Sequence, residues 1–223
     1  DLDADDSGQF GVALTYVLPW LNDMEIGLYY VNYHDKSPTF WVAAPQHFLS
    51  YTEDIKLYGI SYSALVGDVN ISGEFSYRDD FIFDTVEEGN YWQAQTSWLY
   101  AAAPPIPIAP YYSIGGEISM ARTIGRMDDT FAWQYVLALG FDWYQVITDL
   151  DVALDFKFAE DCSGTMPTTS MGYTEGEASG SVAVEFLYKN VYKTKIAYEN
   201  RFNEKRNANS DRDTLTLAVS YTF

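Results

Sequence analysis

The chain has 223 residues, 17% of them aromatic with 19 Tyr, and a formal net charge of −19 at a mean hydropathy of −0.18. Only 13 Lys and Arg are present, too few to neutralise a phosphate backbone, so nucleic acid is excluded as a partner. The single Cys162 excludes an internal disulfide and any cysteine metal cluster.

The opening segment DLDADDSG is acidic and polar and has no signal-peptide pattern. Beyond it the organising signal is period two, which predicts about eleven strands near 8 to 18, 24 to 35, 51 to 65, 69 to 79, 91 to 101, 111 to 122, 131 to 144, 150 to 159, 178 to 188, 191 to 202 and 214 to 223. Val69, Ile71, Gly73, Phe75 and Tyr77 alternate with Asn70, Ser72, Glu74, Ser76 and Arg78. Trp133, Tyr135, Leu137, Leu139, Phe141 and Trp143 oppose Ala132, Gln134, Val136, Ala138, Gly140 and Asp142. Val152, Leu154, Phe156 and Phe158 oppose Asp151, Ala153, Asp155 and Lys157. A helix would scatter both sets around its surface, whereas a strand puts each on one face. The uncharged stretch 89 to 116 is no spanning helix, because Pro104, Pro105, Pro107 and Pro110 each remove a helix hydrogen bond and add a clash.

Connections alternate in character. Short ones, 19 to 23, 67 to 68, 145 to 149 and 189 to 190, take turns with long polar ones near 36 to 50, 80 to 90, 123 to 130, 160 to 177 and 203 to 213. A soluble β-sandwich is the plainer alternative. Against it, Trp92, Trp98, Tyr100, Tyr112, Trp133 and Trp143 gather toward strand ends, as in the aromatic girdles of membrane barrels. The polar face is also rich in Gly, Ala, Ser and Gln rather than Lys and Glu, which suits a confined polar lumen. The expected fold is all-β: a transmembrane antiparallel up-and-down β-barrel of the bacterial outer membrane, in contact with lipid and lipopolysaccharide.

The last segment, TLTLAVSYTF, places Leu215, Leu217, Val219, Tyr221 and Phe223 on one face. It resembles the C-terminal signal read by the bacterial barrel-assembly machinery, with Leu217, Val219, Tyr221 and Phe223 as the signal residues. The segments SGQFGVALTYVLPWLNDMEIGLYYVNYH and NVYKTKIAYENRFNEKRNANSDRDTLTLAVSYTF resemble a proteobacterial outer-membrane barrel family catalogued as domain of unknown function thirteen-hundred-and-two. The resemblance covers about the first forty and the last thirty-five residues, with the middle fitting in pattern. It implies movement of hydrophobic or lipid-like compounds across the envelope and supplies no catalytic residues. Members of that family are longer, so the whole chain, 1 to 223, is expected to be the C-terminal portion of a larger barrel. Topology points the same way: a periplasmic C-terminal Phe puts the tight turns in the periplasm and the long loops outside. An odd strand count then places Asp1 outside, with further strands or additional barrel polypeptide before it.

Candidate lumen-lining residues are Glu74, Arg78, Glu117, Arg122, Asp142, Asp155, Lys157, Glu185, Lys193, Lys195, Glu199 and Arg201. Rings of such charges set solute preference, or they pair across strands and fill the interior. His34 and His47 are the only histidines; His34 beside Asp35 is the nearest thing to a rim catalytic site, but no nucleophile accompanies it. The acidic groups Asp1, Asp3, Asp5 and Asp6, then Asp128 and Asp129, then Glu87 and Glu88 match no calcium loop. They could bind calcium through carboxylate oxygens; the plainer reading is solvated loop charge, which divalent cations could bridge to lipopolysaccharide. AAAPPIPIAP at 101 to 110 is either an extended polyproline contact for a periplasmic partner or a stiff connector. Cys162 lies in a long connection, unpaired or bonded to a cysteine outside this chain. The reading is a non-enzymatic outer-membrane channel or transport component without cofactor or metal; a structural or surface-interaction barrel is second, and a rim-site hydrolase third.

Overall fold

The computed structural model describes residues 7–36, 39–43, 46–83, 88–102, 108–125, 130–166, 172–202 and 213–222, with side chains omitted at 39–43, 46–48, 50, 82, 88 and 102. The strands are β1 (Phe10–Leu18), β2 (Met24–Tyr33), β3 (Thr39–Ala43), β4 (Gln46–Ser50), β5 (Ile55–Val66), β6 (Val69–Ile82), β7 (Glu88–Ala102), β8 (Tyr111–Ile124), β9 (Phe131–Ile147), β10 (Leu150–Ser163), β11 (Ala178–Tyr188), β12 (Tyr192–Phe202) and β13 (Thr214–Tyr221). A single 3-10 turn at Pro19–Leu21 joins β1 to β2. No helix among the described residues is long and apolar enough to cross a membrane.

Eleven strands form one antiparallel up-and-down sheet in the order β1-β2-β5-β6-β7-β8-β9-β10-β11-β12-β13. The sheet is open: β1 and β13 are its edges and do not pair with each other. The tightest connections, 67–68, 148–149 and 189–191, lie at one end, the turn side, together with 19–23 and the longer 103–110, and the longest ones, 34–54, 164–177 and 203–213, lie at the other, the loop side. The turns have the chemistry that right-handed strand twist selects. Lys189 and Asn190 both take positive φ, 55° and 56°, as do Asn22 and Asp23 at 52° and 53°, and two consecutive left-handed residues close a hairpin without splaying its strands.

The ladder register carries one face unbroken across the sheet. Glu25 stands opposite Ser63, Ser63 opposite Ser72, Ser72 opposite Ser97, Ser97 opposite Glu117 and Glu117 opposite Val136. Since partners in an antiparallel ladder point the same way, these side chains share a polar face. The opposite face carries Val12, Leu28, Ile60, Phe75, Ile118, Leu137, Phe156, Ile196 and Leu217, all exposed to between 42% and 68%. The burial pattern is inverted relative to a soluble sheet. The large apolar residues are outside, and the buried cluster of Ile55, Phe81, Phe83, Tyr91, Ala121, Ala132, Met166 and Tyr173 lies against the polar face.

Three features depart from the expectation. The connection near 36 to 50 contains the β3–β4 hairpin, with Thr39 opposite Ser50 and Ala43 opposite Gln46. Its strands have five residues each, too short for a period-two pattern to stand out. β9 continues to Ile147 through a bulge at Gln145 (φ 51°), where the register shifts between Leu150 and Val152; the expected turn from Gln145 therefore shortens to Thr148 and Asp149. β6 bulges between Arg78 and Phe81, which reverses the face of the residues beyond.

Candidate functional site: the polar face and its loop-side end

Eleven of the twelve predicted lumen-lining residues share the polar face. Glu74 is opposite Ser61 and Gln95, Arg78 opposite Leu57 and Tyr91, and Glu117 opposite Ser97 and Val136. Asp142 is opposite Ala153, Asp155 opposite Gly140 and Ala183, Lys157 opposite Ala138 and Ser181, and Glu185 opposite Lys195. Lys193, Glu199 and Arg201 follow on β12 opposite Leu187, Ser181 and Ser179. Arg122 is a correction. It pairs in register with Trp92 and Phe131, on the apolar face, because five residues separate it from Glu117 and an odd step along an unbroken strand changes face.

The polar face divides by charge. Toward β12, Lys193 Nζ lies 2.6 Å from Glu185 Oε1 and Arg201 Nε lies 3.0 Å from Glu199 Oε1. Between β2 and β9 lies a belt of small polar groups, in which the Ser72 and Ser97 hydroxyls are 2.9 Å apart and Gln134 Nε2 donates to Ser119 Oγ at 3.0 Å. Glu25, Ser61, Ser63, Ser72, Glu74, Gln95 and Ser97 line a cavity of about 250 Å³ there.

At the loop-side end this polar lining gives way to apolar side chains. Phe81 and Tyr91 pack edge to face with centroids 4.9 Å apart, and Phe81 and Phe83 likewise at 5.2 Å. The β6 bulge is what brings Phe81 to this face, opposite Gly89 and beside Tyr91. From the other side Met166 and Tyr173, in the connection between β10 and β11, are 4% and 5% exposed. That connection is held by Asp161: its carboxylate accepts from the Thr174 N–H at 2.7 Å, its N–H donates to the Glu177 carbonyl at 2.7 Å, and its carbonyl accepts from the Gly176 N–H at 2.7 Å. Burial raises the Asp161 carboxyl above the ordinary aspartate value, against the lowering effect of the Thr174 N–H. Glu177 is raised by burial and then by the Asp161 charge, with Arg201 opposing. Arg78 stands at the edge of the cluster, its guanidinium 4.8 Å from the Tyr91 ring centroid and donating to Gln93 Oε1 at 2.9 Å.

His34 is a buried fastener. Asp54 N–H donates to its Nδ1 at 3.0 Å and its Nε2 donates to the Ser7 carbonyl at 2.8 Å, so the ring ties the segment before β1 to the segment before β5. The side chain of His47 lies outside the described residues, as do Asp1, Asp3, Asp5, Asp6, Glu87, Asp128 and Asp129 and the side chain of Glu88. Of 101 to 110, residues 103–107 are undescribed; Ala109 is buried and the Ile108 carbonyl accepts from Trp143 Nε1 at 3.0 Å. Cys162 is a free thiol donating to the Glu160 carbonyl at 3.7 Å, and it lies in β10, not in the connection beyond. No group of three His, Cys, Asp or Glu among the described residues is placed to hold a metal ion.

The apolar face has its own order. Its charged residues with described side chains are Lys56, Asp79, Arg122 and Glu160, with Asp80 of the β6 bulge paired to Lys56 at 2.8 Å, and every one is at the loop-side end of its strand. Nearby, rings run in a row: Phe10 to Tyr30 at 5.7 Å, Tyr30 to Tyr58 at 5.2 Å, Tyr58 to Tyr77 at 6.5 Å and Trp92 to Phe131 at 6.2 Å. A second set marks the turn side, with Tyr100 to Tyr112 at 6.1 Å, Tyr188 to Tyr192 at 6.4 Å and Tyr192 to Tyr221 at 5.2 Å. Leu217, Val219 and Tyr221 are 68%, 72% and 57% exposed on this face; Phe223 lies outside the described residues.

No curated protein matches the sequence. The family described as Protein of unknown function (DUF1302) matches over residues 1–223, so the middle strands join the two end segments in the likeness, and the chain belongs to that family.

Proposed function

We propose that this chain is the wall of a bacterial outer-membrane β-barrel, non-enzymatic, whose polar face lines a lumen through which solutes pass. The observation that carries the reading is the charge-free apolar band between the two aromatic rows. From Arg122 to Tyr112 on β8, or from Glu160 to Leu150 on β10, is ten residues. At about 3.3 Å per residue and a strand tilt near 40°, that spans roughly 25 Å, the height of a barrel's lipid-facing band. An exposed apolar surface of this extent is untenable in water and needs lipid, with the rim aromatics and Arg122 at the lipopolysaccharide headgroups. The exposed Leu217, Val219 and Tyr221 fit recognition by the barrel-assembly machinery.

Closure of the barrel follows a parity rule. β1 and β13 both run from loop side to turn side, so joining them antiparallel takes an odd number of further strands. The test is fractionation of cells carrying the full-length protein. Expected are recovery with outer membranes and heat-modifiable migration in detergent gels; recovery in the soluble fraction overturns the reading. A closed structural barrel is the competing reading, favoured by the buried apolar cluster at the loop-side end of the polar face; planar-bilayer current separates the two.

A further inference from the structure

A polar lumen has no need of buried aromatic side chains, yet Ile55 and Phe83 are fully buried and Tyr91 and Phe81 are 6% and 8% exposed at the loop-side end of the polar face. The cluster is built from two parts. Ile55, Phe81, Tyr91, Ala121 and Ala132 belong to five successive wall strands, with Phe83 just past β6, while Met166 and Tyr173 come from one connection. Among the described residues, the part carried by the connection is held, besides apolar contact, by the Asp161 hydrogen bonds and by a hydrogen bond between the Ser119 and Tyr173 hydroxyls.

Arg78 borders this cluster on its turn side. The groups that touch its guanidinium are all neutral: Gln93 Oε1 at 2.9 Å, Ser76 Oγ at 3.5 Å, the Tyr33 hydroxyl and the face of Tyr91. In a chain with 32 Asp and Glu against 13 Lys and Arg, this cation has no carboxylate ion pair among the described residues. Asp35 is the acid whose field reaches the neighbouring Tyr33 and Tyr91 hydroxyls. A guanidinium half out of water with no carboxylate in direct contact keeps unmet donor capacity, and a carboxylate arriving from the lumen would form charge-assisted bonds with it.

Resting on the barrel reading, we infer that Ile55, Phe81, Phe83, Tyr91, Met166 and Tyr173 form a hydrophobic gate, and that Arg78 makes it a gate for amphipathic anions. Hydrated inorganic ions are refused, because an apolar constriction dewets and each ion would have to shed its shell there. A solute with an aryl or alkyl body replaces ring–ring contacts by equivalent ones, and its single carboxylate pairs with Arg78. The isosteric ammonium meets the same apolar walls and is repelled by Arg78.

The experiment uses the full-length protein in planar bilayers, with KCl conductance and the permeabilities of benzoate and benzylammonium as probes. Insertion is scored separately by heat-modifiable migration. The wild type should conduct KCl poorly and prefer benzoate by about tenfold, the scale of one charge-assisted contact. Arg78→Gln should abolish that preference and leave KCl conductance low. Phe83→Ser should raise KCl conductance several-fold, and Tyr173→Ala, on the connection, should do so even where the wall variant folds poorly. Inserted wild type that passes both probes equally, or inserted Phe83→Ser and Tyr173→Ala that conduct KCl no better than wild type, overturns the gate alone. Protein that never enters the bilayer overturns the barrel reading and the gate with it.

Discussion

Arg122 stands opposite Trp92 in the ladder between β7 and β8, on the apolar face, while its neighbour Ala121 is fully buried against the polar one. One step along the strand thus crosses from an aromatic, exposed surface to the packed loop-side end of the polar face. The functional reading rests on that division of faces, and substitutions test it directly.

Leu137 is 47% exposed in the middle of the apolar band of β9. In water an exposed Leu tolerates Arg almost without cost, whereas at the midplane of a lipid band Arg costs about 2–4 kcal/mol. Leu137→Arg should fall in the second range and Ala138→Arg, on the polar face, well below it. Folding titrations into lipid vesicles measure both, and equal costs would remove the lipid-facing assignment.

Gly164 opens the connection that carries Met166 and Tyr173. Its φ is +79°, and a Cβ there would collide with the Phe131 carbonyl. Gly164→Ala combines an unfavourable left-handed residue with a backbone clash, and should weaken docking of the connection by about 1–3 kcal/mol. Tyr173 should then become cleavable by chymotrypsin while the strands keep their circular dichroism. Resistance equal to the wild type would show that the connection is held elsewhere.

The strands were legible because a sheet wet on one face and apolar on the other writes period two into the sequence, as at Val69 to Arg78. Parity also sorted the charged residues, and it was available for Arg122, an even-numbered residue on a strand whose polar face is odd-numbered. The apolar gate was not legible. Asp79 and Asp80 interrupt the alternation, and the bulge that returns Phe81 to the polar face depends on pairing with β7. Met166 and Tyr173 lie in a polar connection without periodicity, and their burial exists only once the chain is folded. His34 likewise read as a rim residue until segments 7–9 and 52–54 closed over it.

The β11–β12 hairpin offers a stability test free of the membrane question. Lys189 and Asn190 both occupy left-handed φ, which costs an L-residue with a Cβ about 1 kcal/mol or more and costs Gly almost nothing. Replacing Lys189-Asn190 by Asn-Gly should raise stability by about 1 kcal/mol. Lys189→Val, β-branched at that φ, should lower it by a larger amount. Urea unfolding from vesicles reads both signs, and a destabilising Asn-Gly would mean that Lys189 contributes more through its ring contact with Tyr188, 5.3 Å away, than its backbone strain costs.

The connection that closes the gate should respond to pH through Asp161 and Glu177. Both carboxyls are raised by burial, Glu177 additionally by the Asp161 charge, so the docked connection disfavours their charged forms. A carboxyl whose folded value lies above its unfolded one stabilises the docked state fully below the unfolded value, and that contribution is lost as pH rises through the folded value. Docking should therefore be tightest at and below the ordinary carboxylate range and loosen as pH rises above it. Chymotryptic cleavage at Tyr173, monitored in vesicle-inserted protein at several pH values and corrected for the protease's own profile, should accelerate over that rise. Asp161→Asn keeps a carbonyl oxygen to accept from the Thr174 N–H but has nothing to ionise and removes the repulsion on Glu177. It should flatten most of the slope. Cleavage that slows with rising pH, or an unchanged slope in Asp161→Asn, would show that burial of the Asp161 carboxyl does not set the pH response of the connection.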